Sequence, residues 1–95
     1  MTRQRITEKN LEALCDRINE ATGSPMIPYK IVNGESVAQI GNYHISYAYG
    51  GVCLHRMHNE GGGVTCPLGG GHMPKRELWE RMHAFLAGID SKVTA

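Results

Sequence analysis

Residues 29–58, YKIVNGESVAQIGNYHISYAYGGVCLHRMH, set the fold class of this 95-residue chain. Apolar and polar residues alternate along much of it, which is the period of a half-buried strand. Tyr29 to Val32 leads into Asn33-Gly34, a pair that suits a two-residue hairpin turn because both positions tolerate positive φ. A second strand is expected over Ser36 to Ile40. Gly41-Asn42 then breaks the run before Tyr43 to Tyr49, where Tyr43, Ile45, Tyr47 and Tyr49 fall on one strand face. Gly50-Gly51 is the next expected turn, and Val52 to His58 the next arm. These segments predict an antiparallel meander of three or four strands.

Helical periodicity flanks this region on both sides. Thr7 can cap a first helix in which Leu11, Leu14, Cys15, Ile18 and Ala21 recur at the spacing of one apolar face. Gly23 suits the position after the last turn, and Ser24-Pro25 cannot continue it. The opposite face carries Glu12, Asp16, Arg17, Asn19 and Glu20, the composition of a solvated surface. Leu78, Trp79, Met82, Phe85, Leu86 and Ile89 form a broad stripe on a second helix that begins just after Pro74, with Gly88 weakening its last turn. The expected fold is therefore α+β, with an N-terminal helix, the meander, a C-terminal helix, and both helices on one sheet face. One domain is expected over residues 7–90, with frayed ends at 1–6 and 91–95.

Hydrophobic residues make up 41% of the chain, which fits a globular domain rather than a disordered one. Ten Lys and Arg against nine Asp and Glu leave a formal charge of +1, so no global field draws the protein to nucleic acid and any anion site must be local. A nucleic-acid accessory role would require steeply salt-dependent binding. No stretch reaches the length of a membrane span, and no apolar region after Arg5 makes a signal peptide; a cytoplasmic location is the expectation. Three cysteines, Cys15, Cys53 and Cys66, are expected as reduced thiols.

The segment GGGVTCPLGGGHM, residues 61–73, is the strongest pointer to a ligand. Gly61, Gly62 and Gly63, then Gly69, Gly70 and Gly71, let backbone amides approach an anion, and His72, Lys75 and Arg76 stand at the start of a helix whose free N–H groups favour negative charge. Lys75 and Arg76 oppose the helix dipole there unless an anion offsets them, and Glu77 can supply that offset internally. No established phosphate-loop spacing is present. A nucleotide or cyclic nucleotide would be the ligand of such a site, with Tyr43, Tyr47, Tyr49 or Trp79 stacking on its base and Arg56 holding phosphate. A domain this small has little room for a deep pocket, so that reading expects completion across a homodimer.

Cys53, His55, His58, Cys66 and His72 lie close together in the chain and are all zinc-type ligands. Their intervals match no standard zinc spacing and there is no C-x-x-C, so no metal and no cofactor is expected. A thiol nucleophile at Cys53 or Cys66 would need a neighbouring base that the sequence does not position, and no catalytic residue is assigned. Tyr43, Tyr47 and Tyr49, with Arg56 on the next strand, can instead form a contact surface for a protein partner, or pack beneath the helices.

Several short motifs carry a resemblance. They are Gly41-Asn42-Tyr43-His44, Ala48-Tyr49-Gly50-Gly51-Val52, Asn59-Glu60-Gly61-Gly62-Gly63-Val64 and Pro74-Lys75-Arg76-Glu77-Leu78. With Arg17-Ile18-Asn19, Thr22-Gly23-Ser24-Pro25 and Ala84-Phe85-Leu86-Ala87-Gly88, nearly the whole chain resembles a group of small bacteriophage accessory proteins. The resemblance transfers no catalytic chemistry. It implies a viral origin and the cytoplasm of a bacterial host, and with them a non-enzymatic protein that binds and inhibits a bacterial host protein, such as an antiviral-defence protein. A sponge for a nucleotide signal is the alternative expectation.

Overall fold

The structure, a computed structural model, describes residues 5–94. Helix α1 spans Glu8–Thr22 and helix α2 spans Lys75–Thr94, with five antiparallel strands between them. The α+β class and a helix at each end agree with the sequence. The strands divide into two sheets rather than one meander: β1 (Tyr29–Val32) pairs only with β2 (Glu35–Ala38), while β3 (Tyr43–Ala48), β4 (Gly51–Met57) and β5 (Val64–Thr65) form a second sheet in that order. Gly41-Asn42 separates them, because the chain turns there instead of carrying β2 alongside β3.

Local chemistry accounts for the boundaries of α1. Thr7 accepts from the Asn10 amide at 3.2 Å, and Asn10 Oδ1 accepts from the Thr7 amide at 2.9 Å, a reciprocal cap on the first turn. Gly23 ends the helix at φ 68°, and the Ser24 amide donates to the Asn19 carbonyl. Helix α2 runs through Gly88 to Thr94, past the boundary near residue 90 expected from the sequence. Of the expected frayed ends, residues 1–4 and 95 lie outside the described residues. Among those described, no helix is long and apolar enough to cross a membrane.

Both helices pack on the same face of the three-stranded sheet, α1 against β3 and α2 against β4, and against each other. Leu11, Leu14 and Ile18 of α1 meet Leu78, Met82 and Leu86 of α2 over Tyr43, Val52 and Leu54 of the sheet. The polar exception on that α1 face is Asn19, which is 1% exposed. Its Nδ2 donates to the Tyr43 carbonyl at 2.9 Å and its Oδ1 accepts from the Tyr43 amide at 2.8 Å. Strand β3 is an edge, and Asn19 acts there as a one-residue stand-in for a neighbouring strand. Asn19 was expected on the solvated face, but the Tyr43 backbone could not be left unpaired in the core. Cys15 Sγ donates to the same carbonyl at 3.2 Å, and burial, followed by the charges of Asp16 and Glu12, pushes that thiol up to about 12.

The turn between β3 and β4 falls one residue earlier than expected. Tyr49 and Gly50 occupy its two central positions at φ 54° and 72°, while Gly51 is the first residue of β4. Gly51 is needed in the strand because a Cβ there would lie 2.9 Å from the Met73 carbonyl oxygen and 3.0 Å from its nitrogen. Met73 pairs with Val52 through two backbone hydrogen bonds of 2.8 Å.

Candidate functional site

The glycine-rich segment closes on itself. Asn59 Oδ1 accepts from the amides of both Gly61 and Gly63 at 3.0 Å, and the Gly62 amide donates to the Asn59 carbonyl. The Gly63 carbonyl accepts from the His58 amide at 2.7 Å. All three amides of the first triplet are thus engaged within the turn, which removes them as donors to an anion. That turn instead buttresses the first hairpin: the Glu60 carbonyl accepts from the Ala38 amide, and a Cβ at Gly62 would lie 3.2 Å from the Tyr29 hydroxyl.

After the turn the chain pairs with β4 twice. Strand β5, absent from the sequence expectation, sets Thr65 opposite Arg56, and Met73 rejoins β4 at Val52. Between these anchors Gly69, Gly70 and Gly71 have φ of 64°, 75° and 64°, a left-handed run that residues with a Cβ rarely sustain. The run returns the chain so that Met73 enters the core and His72 lies over the opposite sheet face.

With both helices on one sheet face the opposite face would be open, but the returning segment covers part of it. Strand alternation and register place His44 opposite His55 and Ser46 opposite Cys53, all on the side away from the helices. Cys66, one step beyond β5, brings its Sγ to 3.6 Å from that of Cys53. His72 Nε2 and Ser46 Oγ are 3.0 Å apart, and the His72 ring lies 6.0 Å from that of His55. The outcome is a cluster of two thiols, three imidazoles and a hydroxyl, with Cys53 1% exposed at its floor and Cys66 exposed at its rim. The ligand atoms of Cys53, His55 and Cys66 all lie within 4.8 Å of one another. His58 is exposed, and its backbone serves the Asn59 turn.

The surroundings favour the neutral forms of Cys53, His44 and His55. Burial, then the hydrogen bond with Cys66, pushes the Cys53 thiol up to about 11. Burial, then the neighbouring His55, lowers the pKa of His44, and burial, then His72, lowers that of His55. His44 Nδ1 is 3.2 Å from Asn42 Oδ1. A nucleophilic thiolate is disfavoured here, since desolvation without a nearby cation stabilises the protonated form.

The three tyrosines expected on one contact face separate. Tyr43 is 8% exposed and packs against Phe85 inside the core, because its strand face is the one the helices cover. Arg56 lies over the same ring, 5.6 Å from its centroid, so its charge is engaged with the sheet edge. Tyr47 is partly exposed beside α1, where burial, then Glu12 and Glu8, push its phenol up. Tyr49 is in the turn, 95% exposed, with its ring edge-on to His72 at 5.5 Å. Lys75 shares a surface depression with Glu8, Tyr47, Gly50 and Gly51, so an acidic side chain stands where an anion was expected. Arg76 is half-buried in the first turn of α2. Gly70 faces Arg81, whose Nη1 donates to the Leu68 carbonyl at 2.9 Å and whose Nη2 pairs with Glu77 at 3.0 Å. The residues proposed for phosphate thus serve several separate local structures.

The first hairpin carries a surface that sequence reasoning passed over. All four residues of β1 are exposed, with Ile31 at 71%, and Met26, Ile27, Tyr29, Val32 and Ile40 extend the apolar surface. Only its root is secured: Gln39 donates from its backbone to the Pro28 carbonyl and from Nε2 to the Ile27 carbonyl, and Asn42 Nδ2 donates to the Pro25 carbonyl. No protein-family model, curated protein or solved structure matches the chain.

Proposed function

We propose that this chain is a small non-enzymatic binding protein of bacteriophage origin that inhibits a bacterial host protein in the host cytoplasm, docking on it through the β1–β2 hairpin. The observation that carries this reading is the exposure of Tyr29 and Ile31 on one face of β1, with Val32 exposed on the other face and Ile27 exposed just before the strand, on a sheet of only two strands. A concentration of exposed large apolar side chains on one small hairpin marks an interaction site, whereas single scattered ones are ordinary. The hairpin also has an open strand edge. In the antiparallel register, Val32 and Glu35 flank the turn, so the backbone groups of Tyr29 and Ile31 face away from β2. A partner strand can add to that edge while the side chains supply apolar anchors.

The test is to capture partners from bacterial lysate with the wild type and with Ile31→Asp, then to reconstitute the captured protein's activity from purified components. The proposal expects Ile31→Asp to keep its circular dichroism and unfolding midpoint, to lose the captured protein, and to leave that protein's activity unchanged, whereas the wild type suppresses it. Equal capture and equal suppression by both proteins would overturn the reading.

A further inference from the structure

We propose that Cys53, His55 and Cys66, with His72 as the fourth ligand, form a zinc site that fastens the glycine-rich segment across strand β4. Two ligands come from one strand face, one from the end of β5 and one from the returning loop, so the site ties the segment between its two pairings with β4 back onto that strand. The geometry is near what zinc requires. Zinc–sulfur bonds of about 2.3 Å at a tetrahedral angle put two thiolates about 3.8 Å apart. Cys53 and Cys66 already stand at 3.6 Å. A thiolate and an imidazole on the same ion would be about 3.5 Å apart, so ligand atoms now within 4.8 Å need to close by about 1 Å. Cys66 is at the rim and can make that movement.

His72 stands just outside the group of ligand atoms within 4.8 Å of one another, its ring 6.0 Å from that of His55, so it completes the set by moving inward with the returning loop. Its Nε2 is 3.0 Å from Ser46 Oγ, which leaves Nδ1 for the metal and gives the ligand an orienting partner on β3. A bound cation inverts the preference of the thiols for their protons. On binding, the Cys53 and Cys66 thiols each lose a proton to solvent and form a zinc–sulfur bond, with no change of oxidation state. Two negative thiolates then balance the ion in a partly buried pocket.

Zinc itself, and cobalt(II) as its spectroscopic substitute, are the probes. The reduced protein is titrated with each under anaerobic conditions, in competition with a chromophoric chelator for zinc. The proposal expects one equivalent of metal, a thiolate-to-cobalt charge-transfer band with the intense visible bands of tetrahedral cobalt, and an unfolding temperature that rises with zinc. Cys66→Ser, at an exposed position where folding is retained, should lose the charge-transfer intensity of one thiolate and the zinc-dependent rise in unfolding temperature. Cys15→Ala, which removes the thiol outside the cluster, should keep the full spectrum. Ser46→Ala, which removes the partner of His72, should weaken zinc binding by about 10- to 100-fold. Octahedral cobalt without a charge-transfer band, or an unchanged spectrum in Cys66→Ser, would overturn the proposal. Unchanged zinc affinity in Ser46→Ala would overturn the place given to His72.

Discussion

Replacing Asn19 tests how the edge of the main sheet is held. In Asn19→Leu the side chain keeps its approximate volume and loses both polar atoms, so the Tyr43 amide, now bonded at 2.8 Å, has no partner in the core. An unpaired buried donor costs about 1–3 kcal/mol. The Tyr43 carbonyl retains the Cys15 thiol at 3.2 Å, so losing the Asn19 Nδ2 bond adds only about 1 kcal/mol. The expected loss is about 2–4 kcal/mol, against a total of roughly 5–14 kcal/mol for a domain of this size. Urea unfolding followed by circular dichroism reads it directly, through the midpoint and the slope. Asn19→Asp refines the test, because it keeps an acceptor for the Tyr43 amide but sets a carboxylate oxygen against the Tyr43 carbonyl. Its carboxyl pKa should be raised in the folded state, so the variant is most stable below the unfolded value of about 3.9 and loses that stability as pH rises through the folded value. A loss below about 1 kcal/mol in Asn19→Leu would mean that the edge needs no such partner, and the reasoning would fail.

Gly51→Ala should destabilise by about 1–3 kcal/mol, as overpacking does, since the new Cβ meets the Met73 backbone at 2.9 Å; faster hydrogen exchange of the Val52 and Met73 amides would show the broken pairing. Asn59→Ala removes an acceptor shared by two amides and should cost about 1 kcal/mol. Exchange should then accelerate at the His58 and Ala38 amides, which the Asn59 turn holds, and not at Leu54. Alkali should also destabilise the protein. The unfolded Cys15 thiol ionises near 9.0 and the folded one near 12, so over that interval the unfolded state binds fewer protons and stability falls as pH rises. The slope approaches about 1.4 kcal/mol per pH unit for Cys15, Cys53 adds to it up to about 11, and Cys15→Ala should flatten the decline of the urea midpoint.

The helices and the first hairpin were legible because their determinants are local. Thr7, Gly23 and the apolar stripe of α2 act within a few residues of themselves, and Asn33-Gly34 makes the expected turn at φ 51° and 80°. The division into two sheets was hidden, since Gly41-Asn42 can read as a break within a meander or between sheets. The Cys and His cluster was hidden for a different reason. Metal motifs in sequence are intervals along one chain segment, whereas here the closeness of Cys66 to His55 and Cys53 follows from pairing Thr65 with Arg56. Strand alternation from Tyr43 to Met57 already put His44, Ser46, Cys53 and His55 on one face; the missing fact was which segment covered it. The separation of the three tyrosines was hidden because alternation groups residues by face without saying which face the helices take. The first glycine triplet read as a ligand loop because its composition is the same whether the amides turn toward an anion or toward Asn59.

The packing of α1 on α2 has a consequence for how the molecule is made. Leu11, Leu14 and Ile18 are synthesised before the sheet, yet Leu78, Met82 and Leu86, which help to bury them, come from α2 after it. On the ribosome α1 is therefore an amphipathic segment with its apolar stripe uncovered while the sheet is still being translated. Short helices are marginal in water without tertiary partners, so the nascent chain gains its core only when α2 has emerged. Closing that long-range contact commits both helices and the sheet together, and a chain interrupted before α2 lacks the Leu78, Met82 and Leu86 side of its core.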